Sequence, residues 1–104
     1  MELKTEQIKE LIKRRRRQVL VHSYIYYILN DNIISDKQWS EWALELETLQ
    51  NTYPELSSEV ELYQTFKSFD HSTGANLDYS LPECDWVDGK ALYLIRYIYE
   101  HRGK

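Results

Sequence analysis

The stretch HSYIYYILNDNIISDKQWSEWALELETLQNTYPEL, residues 22–56, decides the fold of this chain. It predicts an aromatic-rich helix, a short polar break and a second amphipathic helix that ends before Pro54. The Asn-Asp-Asn sequence at residues 30–32 is suited to end the first helix. Ser35, with Gln38 three residues later, has the pattern of a capping box that begins the second helix. The stretch therefore predicts an antiparallel helical hairpin.

Apolar residues at a 3.6-residue spacing define the extent of both helices. The first helix is predicted over residues 5–29 and the second over residues 36–51. Arg15 falls within the apolar stripe of the first helix, so its stem is expected to pack while its charged head points to solvent. The stripes consist of Leu3, Ile8, Leu11, Ile12, Val19, His22, Ile25, Tyr26 and Leu29 on the first helix, and of Trp39, Trp42, Ala43, Leu46, Leu49 and Tyr53 on the second.

The second half of the chain must add the third layer that a two-helix hairpin needs for stability. A short helix is predicted from Ser57 or Ser58 to about Phe66. Residues 70–85 are rich in turn residues and are predicted to form an ordered surface loop. A final helix follows, with Gly103 at its C-cap position. The apolar stripe of this helix consists of Val87, Ala91, Leu94, Ile95 and Ile98.

The predicted fold is all-α, a single small domain of four helices over residues 1–104. The long hairpin occupies residues 1–56, and residues 57–104 hold the short third helix, the loop and the C-terminal helix. The sequence contains no run of about 18 apolar residues and starts with charged residues rather than an apolar signal region. We therefore expect a soluble, cytoplasmic protein without a membrane segment.

Residues that carry chemistry are sparse in this sequence. Cys84 is the single cysteine and has none of the cysteine or histidine neighbours of a zinc site, so it is predicted to be a reduced, inert thiol. His22, His71 and His101 have no spacing typical of metal ligands. The sequence predicts no metal site and no catalytic residue.

Charge is unevenly distributed along the chain. Residues 1–34 carry a net charge of +3 and residues 35–104 a net charge of −7. The basic part is concentrated at residues 13–17, about one and a half turns of a helix. This run is either a solvated turn that pairs with the acidic second helix or a contact to a partner, with nucleic acid the less favoured partner because the chain is acidic overall. The candidate partner-binding residues are Arg14, Arg15, Arg16 and Arg17.

Three short motifs in residues 22–56 match a known family with unbroken spacing. The family run of His, any residue, Tyr, apolar, Tyr is matched by residues 22–26, the loop of Ile-Pro-Asp by residues 34–36, and the closing Pro-Glu-Leu by residues 54–56. On these motifs, which cover about a third of the chain, the sequence resembles the N-terminal helical hairpin of bacterial NAD-dependent DNA ligases. In that family the hairpin holds the nicotinamide mononucleotide half of NAD.

The resemblance implies a nucleotide site on the hairpin, in which aromatic rings stack on the nicotinamide and carboxylates accept hydrogen bonds from the ribose. Tyr26, Tyr27 and Asp36 match family positions of that site. Trp39 stands where the family has a second Tyr, and Ser40 stands where it has a second Asp. Losing that carboxylate removes a charge-assisted hydrogen bond worth roughly 1.5–3 kcal/mol. We therefore expect at most weak binding of nicotinamide mononucleotide or NAD.

The same aromatic residues have an alternative interpretation, as members of an ordinary aromatic core. This interpretation needs no ligand, and the sequence leaves both open. The residues concerned are Tyr24, Tyr26, Tyr27, Trp39 and Trp42.

The resemblance does not extend to catalysis. The ligases attach adenylate to the lysine of a Lys-x-Asp-Gly motif, and residues 86–89 of this chain, Trp-Val-Asp-Gly, lack the lysine. The hypothesis is therefore a non-catalytic accessory or interaction protein, encoded by a bacteriophage or another mobile element, that binds a protein partner or weakly a nucleotide. The alternative hypothesis is an acidic inhibitor of a host nucleic-acid enzyme, such as a CRISPR effector nuclease, because thirteen acidic residues lie in residues 35–104.

Overall fold

The computed structural model describes residues 2–71 and 76–102, with side chains for residues 4–71 and 76–101. Within these ranges the chain is helical and contains no strand, so the all-α prediction is confirmed. No helix in the described ranges has the length and apolar character needed to cross a membrane. The helices are α1 (Glu2–Tyr27), α2 (Asp36–Thr52), α3 (Pro54–Ser58), α4 (Tyr63–Phe66) and α5 (Val87–Arg102), with a 3-10 turn at Pro82–Cys84 before α5.

The hairpin of α1 and α2 is formed by the predicted turn and cap. Asn30 adopts a left-handed conformation with φ 57°, which Asn tolerates better than most residues, and it reverses the chain after α1. Ser35 Oγ accepts a hydrogen bond from the backbone N–H of Gln38 at 3.0 Å, so α2 begins at Asp36 as predicted. Helix α1 covers Glu2–Tyr27, so it starts three residues earlier and ends two residues earlier than predicted.

The second half of the chain packs on the hairpin and completes the core. α5 lies against α1, where Ala91 joins Val21 and Ile25 in a small cluster of buried residues. The predicted third layer is thus supplied by α5 and by the segments between α2 and α5. The main core consists of Ile12, Val19, Leu20, Ala43, Leu46, Val60, Leu62, Phe66, Leu77, Cys84 and Val87.

The prediction of one short third helix is wrong in one respect, because the chain forms two short helices there, α3 and α4. Leu62 lies between α3 and α4 in the left-handed region, with φ 70° and ψ 20°, a conformation that costs energy for a residue with a Cβ. Its side chain is 2% exposed, so burial offsets that cost. The break at Leu62 brings both Val60 and Leu62 into the core.

The segment predicted as a surface loop is partly buried. Leu77 and Cys84 belong to the main core, and the 3-10 turn ends at Cys84. The carboxylate of Glu83 accepts hydrogen bonds from the backbone N–H of Thr65 at 2.8 Å and from its hydroxyl at 2.5 Å. The loop is therefore fastened to α4 rather than lying free on the surface. The predicted C-cap at Gly103 and the side chain of Leu3 lie outside the described residues.

Arg16 is completely buried, which corrects the prediction that it belongs to a solvated turn and is available to a partner. Its Nε donates to Gln50 Oε1 at 2.9 Å and its Nη1 to the carbonyls of Val60 and Glu61, each at 3.0 Å. Its Nη2 donates to the carbonyl of Ser57 at 3.1 Å and to the Ser57 hydroxyl at 2.5 Å. Burial lowers the pKa of Arg16 to about 10, so the guanidinium stays charged at neutral pH.

The other three arginines of the run differ from Arg16. Arg14 is exposed, and the half-buried Arg15 donates from Nε to Glu45 Oε1 at 3.2 Å, which is the predicted pairing with the acidic second helix. Arg17 is exposed, forms an ion pair with Glu61 and lies 5.0 Å from the centre of the Trp86 ring. Arg15 is thus partly buried in the apolar stripe, and the arginine that lies in the core is Arg16, one residue further on.

Replacing Arg16 with alanine should lower the free energy of unfolding by roughly 3–5 kcal/mol, because buried carbonyls would lose their donors. Arg16→Lys should recover only part of this loss, since an ammonium cannot reproduce the planar fork of donors. Urea denaturation of each purified variant measures the change. Arg17→Ala is the matched control and should cost less than about 1 kcal/mol, as an exposed ion pair does. Equal losses for the Arg16→Ala and Arg17→Ala variants would contradict this account.

Candidate functional site

A cavity of about 230 Å³ opens between the end of α1 and the start of α2. The turn between the two helices forms part of its wall. All four residues that the resemblance assigns to a nucleotide site, Tyr26, Tyr27, Asp36 and Trp39, line this cavity. The complete lining consists of His22, Tyr26, Tyr27, Asn32, Ile34, Ser35, Asp36, Trp39 and Ser40.

Two tyrosines at the end of α1 form an exposed aromatic wall of the cavity. Tyr26 is 50% exposed and Tyr27 is 43% exposed, and their rings meet edge to face with centroids 4.9 Å apart. The interpretation of these two residues as an aromatic core is therefore wrong. Tyr24 and Trp42, by contrast, are partly buried and pack against the main core as that interpretation expects.

Trp39 lies at the boundary between the core and the cavity, because it packs against the main core and also lines the cavity. Its indole N–H donates to Ser23 Oγ at 2.9 Å, and Ser23 is completely buried. Ser23 occupies the position of the family run that accepts any residue, so the family motif indicates no role for it. Its partner lies sixteen residues away on another helix, so no local pattern indicates the contact.

Asp36 and Ser40 are the polar side chains of α2 that reach the cavity, and both residues are exposed. Asp36 is the first residue of α2, where a carboxylate is favoured by the positive end of the helix. An ionised carboxylate only accepts hydrogen bonds, so it suits the hydroxyls of a bound sugar. Ser40 lies one helical turn later and supplies a hydroxyl where a second carboxylate would add charge.

His22 lines the inner side of the cavity, and its ring centroid lies 5.5 Å from that of Trp42. Its Nδ1 is buried and has no hydrogen-bond partner among the described residues. Burial lowers the pKa of His22, so the imidazole is neutral at pH 7. Asp36 then gives the cavity a net negative charge, which favours a cationic aromatic ligand.

The lining of the cavity is aromatic and polar, with His22, Asp36 and Ser40 as its main polar side chains besides the tyrosines. Within residues 2–71 and 76–102, no group of three or more His, Cys, Asp or Glu side chains could hold a metal ion. Cys84 lies in the main core, away from the cavity lining, and burial raises the pKa of its thiol. The arginines at residues 14–17 are also absent from the lining. The arrangement is therefore suited to binding by stacking and hydrogen bonding.

Comparison with known proteins gives one family match. Residues 5–59 match the family model described as DNA ligase-like, N-terminal NAD+-binding domain. This match contains the whole cavity lining and slightly more than half of the chain. No solved structure gives a significant match.

The similar curated proteins are DNA ligases that are much longer than this chain. The DNA ligase of Pseudothermotoga lettingae is 37% identical over 75 residues, which is 64% of this chain and 11% of the ligase. The DNA ligase of Fervidobacterium nodosum is 29% identical over 76 residues, 65% of this chain and 11% of the ligase. That of Bacteroides fragilis is 40% identical over 52 residues, 50% of this chain and 8% of the ligase.

The stability of the domain should fall as the pH is lowered below the ordinary histidine pKa of 6.5, because His22 is buried in its neutral form. The unfolded chain takes up this proton at a higher pH than the folded chain, so acid favours unfolding. The contribution of neutral His22 to the free energy of unfolding is fully present above pH 6.5 and is lost as the pH falls below that value. This group changes the free energy of unfolding by at most about 1.4 kcal/mol per pH unit. Urea denaturation at a series of pH values measures the slope.

His22→Phe should remove most of this slope, since the replacement cannot titrate. His101→Gln is the matched control, because His101 is exposed on α5 and its replacement should leave the slope as it is in the parent chain. An unchanged slope in the His22→Phe variant would refute the assignment.

Proposed function

Because the chain belongs to the family of DNA ligase-like, N-terminal NAD+-binding domains, we propose that its hairpin cavity binds the nicotinamide mononucleotide half of NAD+. The observation that carries this proposal is the convergence of Tyr26, Tyr27, Asp36 and Trp39 on one cavity. These residues come from the end of α1 and the start of α2, and the turn between the helices brings them together. The curated relatives are named DNA ligases, and the proposal for this chain is limited to nucleotide binding and does not include ligation.

The chemistry of the cavity supports a cationic ring attached to a sugar. Tyr26 and Tyr27 offer exposed aromatic rings, and Trp39 offers a larger one, to a flat positively charged ligand. Asp36 supplies the acceptor that ribose hydroxyls require. A volume of about 230 Å³ is below the roughly 300–1,000 Å³ typical of sites for drug-sized ligands, which favours half of a dinucleotide over the whole molecule.

Binding is proposed to be weak because Ser40 replaces a family carboxylate. A charge-assisted hydrogen bond is worth roughly 1.5–3 kcal/mol, and each 1.4 kcal/mol changes the affinity tenfold. The single carboxylate at Asp36 therefore gives an expected Kd of about 1 mM or weaker for nicotinamide mononucleotide.

The proposed role of this segment is non-catalytic. The Trp-Val-Asp-Gly sequence at residues 86–89 has no lysine to carry an adenylate. Val87 is buried in the main core and Trp86 packs against it, so these two residues serve the packing at the start of α5. An accessory or interaction role, with the nucleotide as a weak ligand, is consistent with both features.

The inhibitor alternative has less support from the arrangement of the acidic side chains. Imitation of a nucleic acid requires free carboxylates grouped on one surface. Several carboxylates already bind other parts of the chain: those of Glu45, Glu47, Glu59, Glu61 and Glu83. The inhibitor role, a bacteriophage origin, the cytoplasmic location and the protein partner all stay predictions.

Titration with nicotinamide mononucleotide, followed by NMR, tests the binding proposal. Signals of Tyr26, Tyr27, Asp36 and the Trp39 indole should shift, with a Kd of about 1 mM or weaker. Asp36→Ala should weaken binding at least about tenfold, because it removes the ribose acceptor. Asp88→Ala is the matched control: Asp88 also lies in the first turn of a helix but outside the cavity, and its loss should leave the Kd unchanged.

The Ser40→Asp variant tests the same proposal in the opposite direction, by an expected gain of affinity for nicotinamide mononucleotide. Restoring the family carboxylate should strengthen binding about tenfold or more, since it adds a charge-assisted hydrogen bond. The absence of any shift in both the parent chain and the Ser40→Asp variant at about 10 mM ligand would overturn the binding proposal.

The chain should form no covalent adenylate when incubated with NAD+ labelled in its adenylate half. The expected result after denaturing electrophoresis is no labelled band at the mass of the chain, because the nucleophilic lysine is missing. A labelled band that survives denaturation would contradict the non-catalytic role.

A further inference from the structure

The Trp39 ring is held by a hydrogen bond that the family motif does not include. Its indole N–H donates to Ser23 Oγ at 2.9 Å, and an indole N–H can only donate. The Ser23 hydroxyl therefore accepts this bond. Ser23 is completely buried, so its hydroxyl is available to neighbours within the fold and not to bulk water.

The same hydroxyl also contacts Tyr79, in the segment before the 3-10 turn. Burial raises the pKa of Tyr79, and the hydrogen bond between the Ser23 and Tyr79 side chains opposes this rise. The ring of Tyr79 meets that of Tyr24 edge to face, with centroids 5.3 Å apart and planes at 83°. Tyr79 thus contacts two neighbouring residues of α1, Ser23 and Tyr24, and the Ser23 hydroxyl contacts both Trp39 and Tyr79.

This arrangement connects the cavity to a part of the chain that the family match does not cover. The match ends at residue 59, whereas Tyr79 lies twenty residues beyond it. Trp39 forms one wall of the cavity, and its orientation determines whether the ring presents a face or an edge to a ligand. A tyrosine at this position has no indole N–H, so the Ser23 contact belongs to the tryptophan of this chain.

We propose that Ser23 and Tyr79 are positioning residues that hold the Trp39 ring in the orientation required for stacking on the nicotinamide, so that the segment around residue 79 completes a site built by the hairpin. This inference rests on the proposed function, because it concerns the same cavity and the same ligand. Preorganised rings bind more tightly than mobile ones, since less conformational freedom is lost on binding.

A double-mutant cycle separates positioning of Trp39 from a general structural role. The variants are Ser23→Ala, Trp39→Phe and the two combined, each titrated with nicotinamide mononucleotide. Trp39→Phe keeps an aromatic face but removes the N–H that Ser23 accepts. Ser23→Ala should weaken binding roughly two- to tenfold when Trp39 is present, the range expected for one net hydrogen bond. The same change should have almost no effect in the Trp39→Phe background.

Tyr79→Phe extends the test to the second half of the chain. It keeps the ring that packs on Tyr24 and removes the oxygen that Ser23 contacts, so binding should weaken in the same direction as in Ser23→Ala. Hydrogen exchange of the Trp39 indole N–H, followed by NMR without ligand, provides a second readout. Exchange should become faster in Ser23→Ala and in Tyr79→Phe if the ring is released.

The outcomes distinguish this inference from the proposed function. The absence of any response to the nucleotide in both the parent chain and the Ser40→Asp variant overturns the proposed function, and the positioning role falls with it. If the parent chain binds, an unchanged Kd in Ser23→Ala overturns the positioning role alone. Equal losses from Ser23→Ala in the presence and absence of the tryptophan also overturn it, because the serine would then act through the fold in general.

Discussion

The buried guanidinium of Arg16 is the interaction on which the rest of the structure depends. It lies on α1 and donates to α2 through Gln50, to α3 through Ser57, and to the carbonyls of Val60 and Glu61. Gln50 in turn donates from Nε2 to the Phe66 carbonyl at 3.0 Å, which continues the network to the end of α4. The carbonyls of Val60 and Glu61 lie where the chain breaks between α3 and α4, and Arg16 supplies a hydrogen-bond donor to both. The charged side chain thus fixes the path of the segment that closes the core.

The core and the cavity occupy different parts of the hairpin, and this separation lets one region be rigid while the other is open. Arg16 and the main core lie along the middle of α1, whereas the cavity is built from the last turns of α1, the connecting turn and the first turns of α2. Ser23 and Tyr79 lie between the two regions. Ser23 is completely buried and accepts a hydrogen bond from Trp39, a residue of the cavity wall, and Tyr79 contacts the same serine. A rigid scaffold that presents side chains at its end is a common way to build a binding site.

The features that could be predicted from the sequence have local signals, whereas the features that could not be predicted depend on partners distant in the chain. The Ser35 cap, the start of α2 and the grouping of Tyr26, Asp36 and Trp39 follow from patterns within a few residues or from one family motif. The choice between Arg15 and Arg16 depends instead on acceptors more than thirty residues away, and both arginines look alike in a periodic pattern. The left-handed conformation of Leu62 and the hydrogen bond to Ser23 could not be predicted for the same reason. Each is stabilised by tertiary contacts, and the neighbouring sequence contains no pattern that indicates them.

The chemical nature of the Arg16 partners has a consequence for the behaviour of the core in acid and in salt. The hydrogen-bond acceptors of this arginine are carbonyls, an amide and a hydroxyl, and none of them takes up a proton in the usual acid range. Surface pairs such as Lys9 with Glu59 weaken when the carboxylate is protonated and when counterions screen the charges. The hydrogen bonds of Arg16 involve no carboxylate, so acid and salt should weaken them less than they weaken the surface pairs. The hydrogen bonds that hold α1 to the rest of the core should therefore outlast those surface pairs in acid and in salt.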